Sequence, residues 1–291
     1  MSFGWRMLAW AVGTAVFLAC LAILTVFLTS SFILGEKHPL APERVRAAVG
    51  PAAVAEGRRL GRLYGCQSCH GEDLRGQVYN PDPVLVRNYA PNLTLVAARY
   101  TDAHLAQAIR QGVRPTTRHA LWGMPSAAYA TMSDAELADV LAFLRAMPAG
   151  GRTGASDTPG LRARLAILRG RTGDRVKGER SAPDLIAAYR AQPAADPGPA
   201  FAQGRHIAIT VCSECHGGDL RGDAREGGPD LNVAASYSLD QFKRLLRTGV
   251  PPSGRDLGIM SETARQDLHV FTDAEIVDLH TYLQARSIGG R

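Results

Sequence analysis

Two stretches of this chain repeat each other block for block, and that repeat limits the fold more than any other feature. Gly57-Arg58-Arg59-Leu60 precedes Cys66 as Gly204-Arg205-His206-Ile207 precedes Cys212. The run from Cys66 to Gly76 (CQSCHGEDLRG) matches the run from Cys212 to Gly222 (CSECHGGDLRG). Pro91-Asn92-Leu93 then matches Pro229-Asp230-Leu231. TDAHLAQAIRQGV (101–113) matches SLDQFKRLLRTGV (238–250), and SDAELADVLAFL (133–144) matches TDAEIVDLHTYL (272–283). The order is the same both times, so the chain holds two copies of one domain, expected at 50–149 and 201–291.

Each copy reads as helical. Ser133 with Glu136, and Thr272 with Glu275, have capping-box spacing. Leu137, Val140, Leu141 and Leu144 recur at helical spacing. Ile276, Leu279 and Leu283 keep that stripe in the second copy, where His280 replaces an apolar residue. The middle helices are expected to start at Thr101 and Ser238, the latter boxed by Gln241. They should stop at Gly112 and Gly249, which have the position of C′ glycines. No alternating pattern of useful length predicts a strand, so the expected class is all-α.

Ahead of the repeats, Met7 to Leu34 carries no charged residue. As a helix it exceeds the ~30 Å hydrocarbon layer and can span it with tilt. Trp5 and Trp10 suit one interface, and Gly35 to Pro39 end the helix. A cleaved leader would have a shorter apolar run and a small-x-small site. A lipidated Cys20 would be followed by a polar linker, whereas Leu21 onward stays apolar. The expected layout is a cytoplasmic tail at 1–6 holding Arg6, a transmembrane helix at 7–34 and a linker at 35–49, with the remainder outside the cytoplasm. Residues 150–200, rich in Gly, Pro, Ala and Arg, are expected to connect the copies and pack along them. Within them Leu161–Arg171 reads as a short basic helix, with membrane-surface contact as the lesser alternative.

The net charge of +6 suits an acidic partner or an anionic membrane surface. The simplest account is a solvated arginine-rich surface, and no nucleic-acid-binding module is present. Of the five cysteines, four lie in the two repeated motifs and the fifth is Cys20, which leaves no pair for a disulfide framework.

The chemistry lies in C-x-x-C-H, the attachment motif of c-type haem. Two thiols must meet two vinyl groups on one porphyrin edge, and helical positions i and i+3 share a face. The next histidine points the same way and can bind iron. Cys66 and Cys69 would therefore hold one haem with His70 as ligand. Cys212, Cys215 and His216 would hold a second. A zinc half-site would need further Cys or His at matching spacing. A redox C-x-x-C would need a βαβ setting. Ligating histidines donate their other N–H to an acceptor. The carbonyls of Pro91 and Pro229, matched after each motif, are expected to accept from His70 and His216. For the sixth ligand a methionine is expected. Met260 stands alone in the second copy. In the first, Met124 is preferred over Met132 and Met147 because it lies in the loop before the last helix, as Met260 is expected to do. His104, His119 and His269 are read as loop or surface residues, and His280 as a core histidine or a haem-edge hydrogen bonder.

These residues resemble class I c-type cytochromes in both copies, over about 50–148 and 201–286. The whole chain is similar to membrane-anchored di-haem cytochromes of bacteria. The resemblance implies three main helices around each haem, His/Met ligation and haem attachment after export. The function it implies is one-electron transfer, not catalysis, at the periplasmic face of the inner membrane. The expected partners are redox proteins: a quinol-oxidising complex, a terminal oxidase, or a dehydrogenase of which this chain would be the cytochrome subunit. A di-haem peroxidase would need an open or displaceable iron position, against which two candidate methionines count. Met260 departs from the pattern in lacking a following proline.

Overall fold

The computed structural model describes residues 3–80, 88–154, 159–172, 178–224 and 226–289. The ends of the expected tail and of the second domain, 1–2 and 290–291, lie outside these residues. The chain is mostly helical. Helix α1 (Phe3–Leu34) is long and apolar enough to cross a membrane, and its most apolar stretch is not buried by the rest of the protein. A two-residue bridge at Lys37 and His119 and a hydrogen bond from His38 N to Arg118 O (2.8 Å) join its end to the first repeat. The linker that follows is not a loose tether. Gln111 Oε1 accepts from Ala41 N at 2.8 Å, and Asp102 Oδ2 accepts from Ala47 N at 2.9 Å.

The first repeat contains α2 (Pro51–Leu63), α3 (Cys66–His70), α4 (Leu93–Arg99), α5 (Asp102–Gln111), α6 (Ser126–Tyr129) and α7 (Asp134–Ala146). A short two-stranded antiparallel ribbon, β1 (Gln77–Asn80) with β2 (Asn88–Ala90), is added to an otherwise helical fold that agrees with the all-α expectation. Its strands are too short to show alternation in the sequence. The second repeat contains α10 (Ala202–Ile207), α11 (Ser213–His216), a 3-10 turn at Leu231–Ser236, α12 (Leu239–Thr248), α13 (Ile259–Gln266), another at Leu268–Val270, and α14 (Asp273–Gly289).

In each repeat the first helix crosses the last, α2 on α7 and α10 on α14. Matched glycines make these crossings close. A Cβ on Gly57 would lie 1.8 Å from Asp139 O, and one on Gly204 would lie 2.1 Å from Asp278 O. Phe143 and Tyr282, at matched positions, are fully buried beside them. The capping boxes form at Ser133/Glu136, Ser238/Gln241 and Thr272/Glu275. Gly112 and Gly249 terminate α5 and α12 in the left-handed region, with φ 64° and 74°. One hydrophobic core runs through both repeats.

The two motifs are entered differently, for a local reason. Gly65 breaks the chain before Cys66 with φ 70°, open to glycine at no steric cost. Its counterpart is Val211, whose branched Cβ disfavours that region. There the chain stays helical and winds through Ala208–Cys212 as a π-helix instead.

The described part of the connector touches both the first repeat and α1. Helix α8 (Leu161–Arg171) lies against α1, while α9 (Ala182–Ala191) packs on α6 of the first repeat.

Candidate haem-binding site

Cys66–His70 is a single helical turn and Ser213–His216 is another, entered from the π-helix that ends at Cys212, and the same scaffold follows each. His70 O accepts from Gly76 N at 2.8 Å, and His216 O accepts from Gly222 N at 2.9 Å. Asp73 Oδ1 accepts from Arg75 N, and Asp219 Oδ1 accepts from Arg221 N. Leu74 and Leu220 then adopt φ 58° and 62°, a region that costs a non-glycine residue about 1–2 kcal/mol. Both side chains are fully buried, which offsets that cost. Each leucine carbonyl accepts from the leucine after the loop, Leu93 N at 2.8 Å and Leu231 N at 3.0 Å. This ties the Pro-Asn-Leu and Pro-Asp-Leu loops to the motifs. Asn92 and Asp230 cap the turns that follow.

The loops place a proline carbonyl beside each histidine. His70 Nδ1 lies 2.8 Å from Pro91 O and His216 Nδ1 lies 2.7 Å from Pro229 O. A carbonyl only accepts, so Nδ1 must carry the proton. Nε2 is thereby left as the lone-pair nitrogen, the tautomer a metal needs. Burial lowers both histidine pKa values, against the proline contact, and so keeps the rings neutral and able to ligate.

Burial pushes the thiols of Cys66, Cys212 and Cys215 up to about 12 and that of Cys69 to about 11. They stay neutral at pH 7, unlike the low-pKa thiolate of a disulfide oxidoreductase. Of the methionines, Met132 is locked in the core at 4% exposed, and its carbonyl accepts from Arg110 Nη2 at 2.7 Å. Met124 sits half-buried at the core's edge in the loop before α6, and Met147 does so at the end of α7. Met260 is not in a loop as expected. It stands in the first turn of α13, also half-buried against the core.

His280 is a core histidine, 5% exposed, with Nε2 2.8 Å from Tyr237 O and its ring 5.2 Å from that of Phe242. His269 is exposed. His104 lies half-buried in the first turn of α5, the helix expected from Thr101, with its ring edge-on to Tyr100. The indole Nε1 of Trp122, two residues before Met124, is buried without a partner among the described residues. An orphaned donor beside a candidate ligand fits a group with anionic acceptors such as haem carboxylates. Sequence reasoning missed it, although Trp-Gly-Met is visible in the chain.

The repeats also meet reciprocally, which sequence reasoning missed. Arg59 forms a two-pronged pair with Glu275, both N–O distances 2.9 Å. His206, at the matching position in the second repeat, places Nε2 2.9 Å from each oxygen of Glu136, the match of Glu275. Ser68, inside the first motif, donates to Asp267 Oδ1 at 2.5 Å. Burial raises the Asp267 carboxyl above its usual range, against the pull of Ser68 and Arg62. Glu214, inside the second motif, lies near Cys69: after burial, its charge is the next cause that raises that thiol.

Residues 54–148 match the family model for cytochrome c. The first repeat is therefore a cytochrome c domain, in a family that carries covalently bound haem c and transfers electrons. No curated protein matches the chain.

Proposed function

We propose that this chain is a membrane-anchored electron carrier with two covalent haems, one in each repeat, facing the periplasm. The observation that carries the second haem is the duplicated scaffold around His216. The same proline contact, the same left-handed leucine and the same loop tie recur there atom for atom. Cys66, Cys69, His70 and Met124 would hold the first haem, and Cys212, Cys215, His216 and Met260 the second. Bound haem supplies the Fe(III)/Fe(II) couple. The chain supplies ligands of fixed tautomer, burial and orientation.

The anchor reading is supported by an apolar helix with no cover of its own. Ser30, near its end, is fully buried by the rest of the fold, so cleavage after it would remove a packed contact. The contacts of Ser68 with Asp267 and of Glu214 near Cys69 put the two motifs on one shared interface. Electrons would then pass from one repeat to the other within the chain. Donor and acceptor would be redox proteins of the membrane face, such as a quinol-oxidising complex, a dehydrogenase or a terminal oxidase. A redox-titrated optical spectrum of purified protein tests this. Two low-spin haems per chain are expected. A resting high-spin centre would favour a peroxidase instead.

A further inference from the structure

Helix α8 carries Arg162, Arg164, Arg169 and Arg171 in eleven residues. They divide by what they touch. Arg164 donates to Ser30 Oγ (2.8 Å), Ser31 Oγ (2.9 Å) and Phe27 O (3.3 Å) of α1, and its guanidinium lies 4.4 Å over the Phe27 ring. Arg171 pairs with Glu36 at 3.2 Å. These two, with Ala163 and Ile167 buried, strap α8 to the last turns of α1.

Arg162 and Arg169 lie on the opposite flank. They are exposed, seven residues apart and so on one side of the helix, and no carboxylate among the described residues pairs with them. The side away from α1 carries Leu161, which is 40% exposed, with Leu165 and Leu168 half-buried. Arginines and a leucine edge turned outward together can meet the charged and the apolar layers of a membrane interface. Its depth agrees. From Trp10 to Ser30, α1 rises about 30 Å, the thickness of a hydrocarbon core. With α1 spanning the bilayer in this way, the Arg164 contacts would hold α8 at the level of the lipid headgroups.

We infer that α8 is a binding site for anionic phospholipid headgroups, with Arg162 and Arg169 taking the lipid phosphate and the leucines resting on the acyl boundary. Guanidinium forks match phosphate oxygens in pairs. The site would fix how the first repeat sits on the bilayer. The inference rests on the membrane-anchor reading.

The test is native mass spectrometry of the full-length, haem-loaded protein in mild detergent, with added phosphatidylglycerol or phosphatidylcholine. Wild type should prefer phosphatidylglycerol. Arg162→Gln with Arg169→Gln should lower that preference by about 25-fold, about fivefold for each basic residue. Arg162→Lys with Arg169→Lys should keep most of it, and the haem spectrum should be the same in all three. An unchanged preference in the glutamine variant would overturn the inference. Displacement of the lipid by inorganic phosphate at equal concentration would also overturn it, since the site would then take a free anion. Alkaline carbonate washing of native membranes separates the two readings. Release of the protein would sink the anchor. Retention with no lipid preference would sink the lipid site alone.

Discussion

Replacing Arg59 by Met and Glu275 by Gln, singly and together, measures how firmly the repeats hold each other. Both side chains are only about one-fifth exposed, at 22% and 20%, and they meet through two bonds. At a charge separation of about 4 Å and an effective dielectric of about 20, the attraction is about 4 kcal/mol. Desolvation opposes it, and Arg59 also spends part of its charge on Glu56, 2.6 Å away. A net coupling of about 1–2 kcal/mol is left, a factor of about 5 to 30. Glutamine suits position 275 because Glu275 also closes the capping box of α14, and Gln241 does that job at Ser238. The assay is guanidinium unfolding of the haem-loaded variants, followed by Soret absorption and far-ultraviolet circular dichroism. Additivity of the two single changes within about 0.3 kcal/mol would refute the claim that this pair holds the interface.

Acid should loosen the reciprocal contact. Burial pushes the Glu136 carboxyl up, but bonds from His206 and Ser133 outweigh it and hold the group at about 2 instead of 4.5. A lowered folded value contributes stability above about pH 4.5 that is lost as pH falls toward about 2. Acid titration of unfolding should show that slope, and Glu136→Gln should flatten it. Gly57→Ala should cost about 3 kcal/mol or more, read as a fall in thermal midpoint, because its Cβ has no space beside Asp139 O. Met132→Ala should cost about 2–5 kcal/mol and spare the optical spectrum. Met124→Ala should do the reverse, turning the ferric haem of the first repeat high-spin. Removing Arg59 should leave haem attachment unchanged on a haem-stained gel, since it lies outside both motifs.

Much of the site was legible because its signals are local. A capping box, a C′ glycine and a C-x-x-C-H turn each act within a few residues; the caps and C′ glycines took the expected form, while the second C-x-x-C-H is entered through a π-helix. The proline contacts followed from the matched position of Pro91 and Pro229 after each motif. The reciprocal interface was not legible. Arg59 and His206 differ in chemistry, and their partners lie 216 and 70 residues away. Met260 escaped the loop reading because α13 begins at Gly258 without a side-chain cap, so no start signal marked it. The place of α8 was hidden for a similar reason. Its charge was plain, but only Arg164 reaching Ser30 and Ser31 says which helix it follows.

Intact mass of the protein matured in a host that ligates haem tests the central claim most directly, that each repeat holds a porphyrin through its paired thiols. Two haem additions are expected in the wild type, and one in Cys66→Ala/Cys69→Ala or in Cys212→Ala/Cys215→Ala. A single addition in the wild type, or the bare polypeptide, would contradict the account.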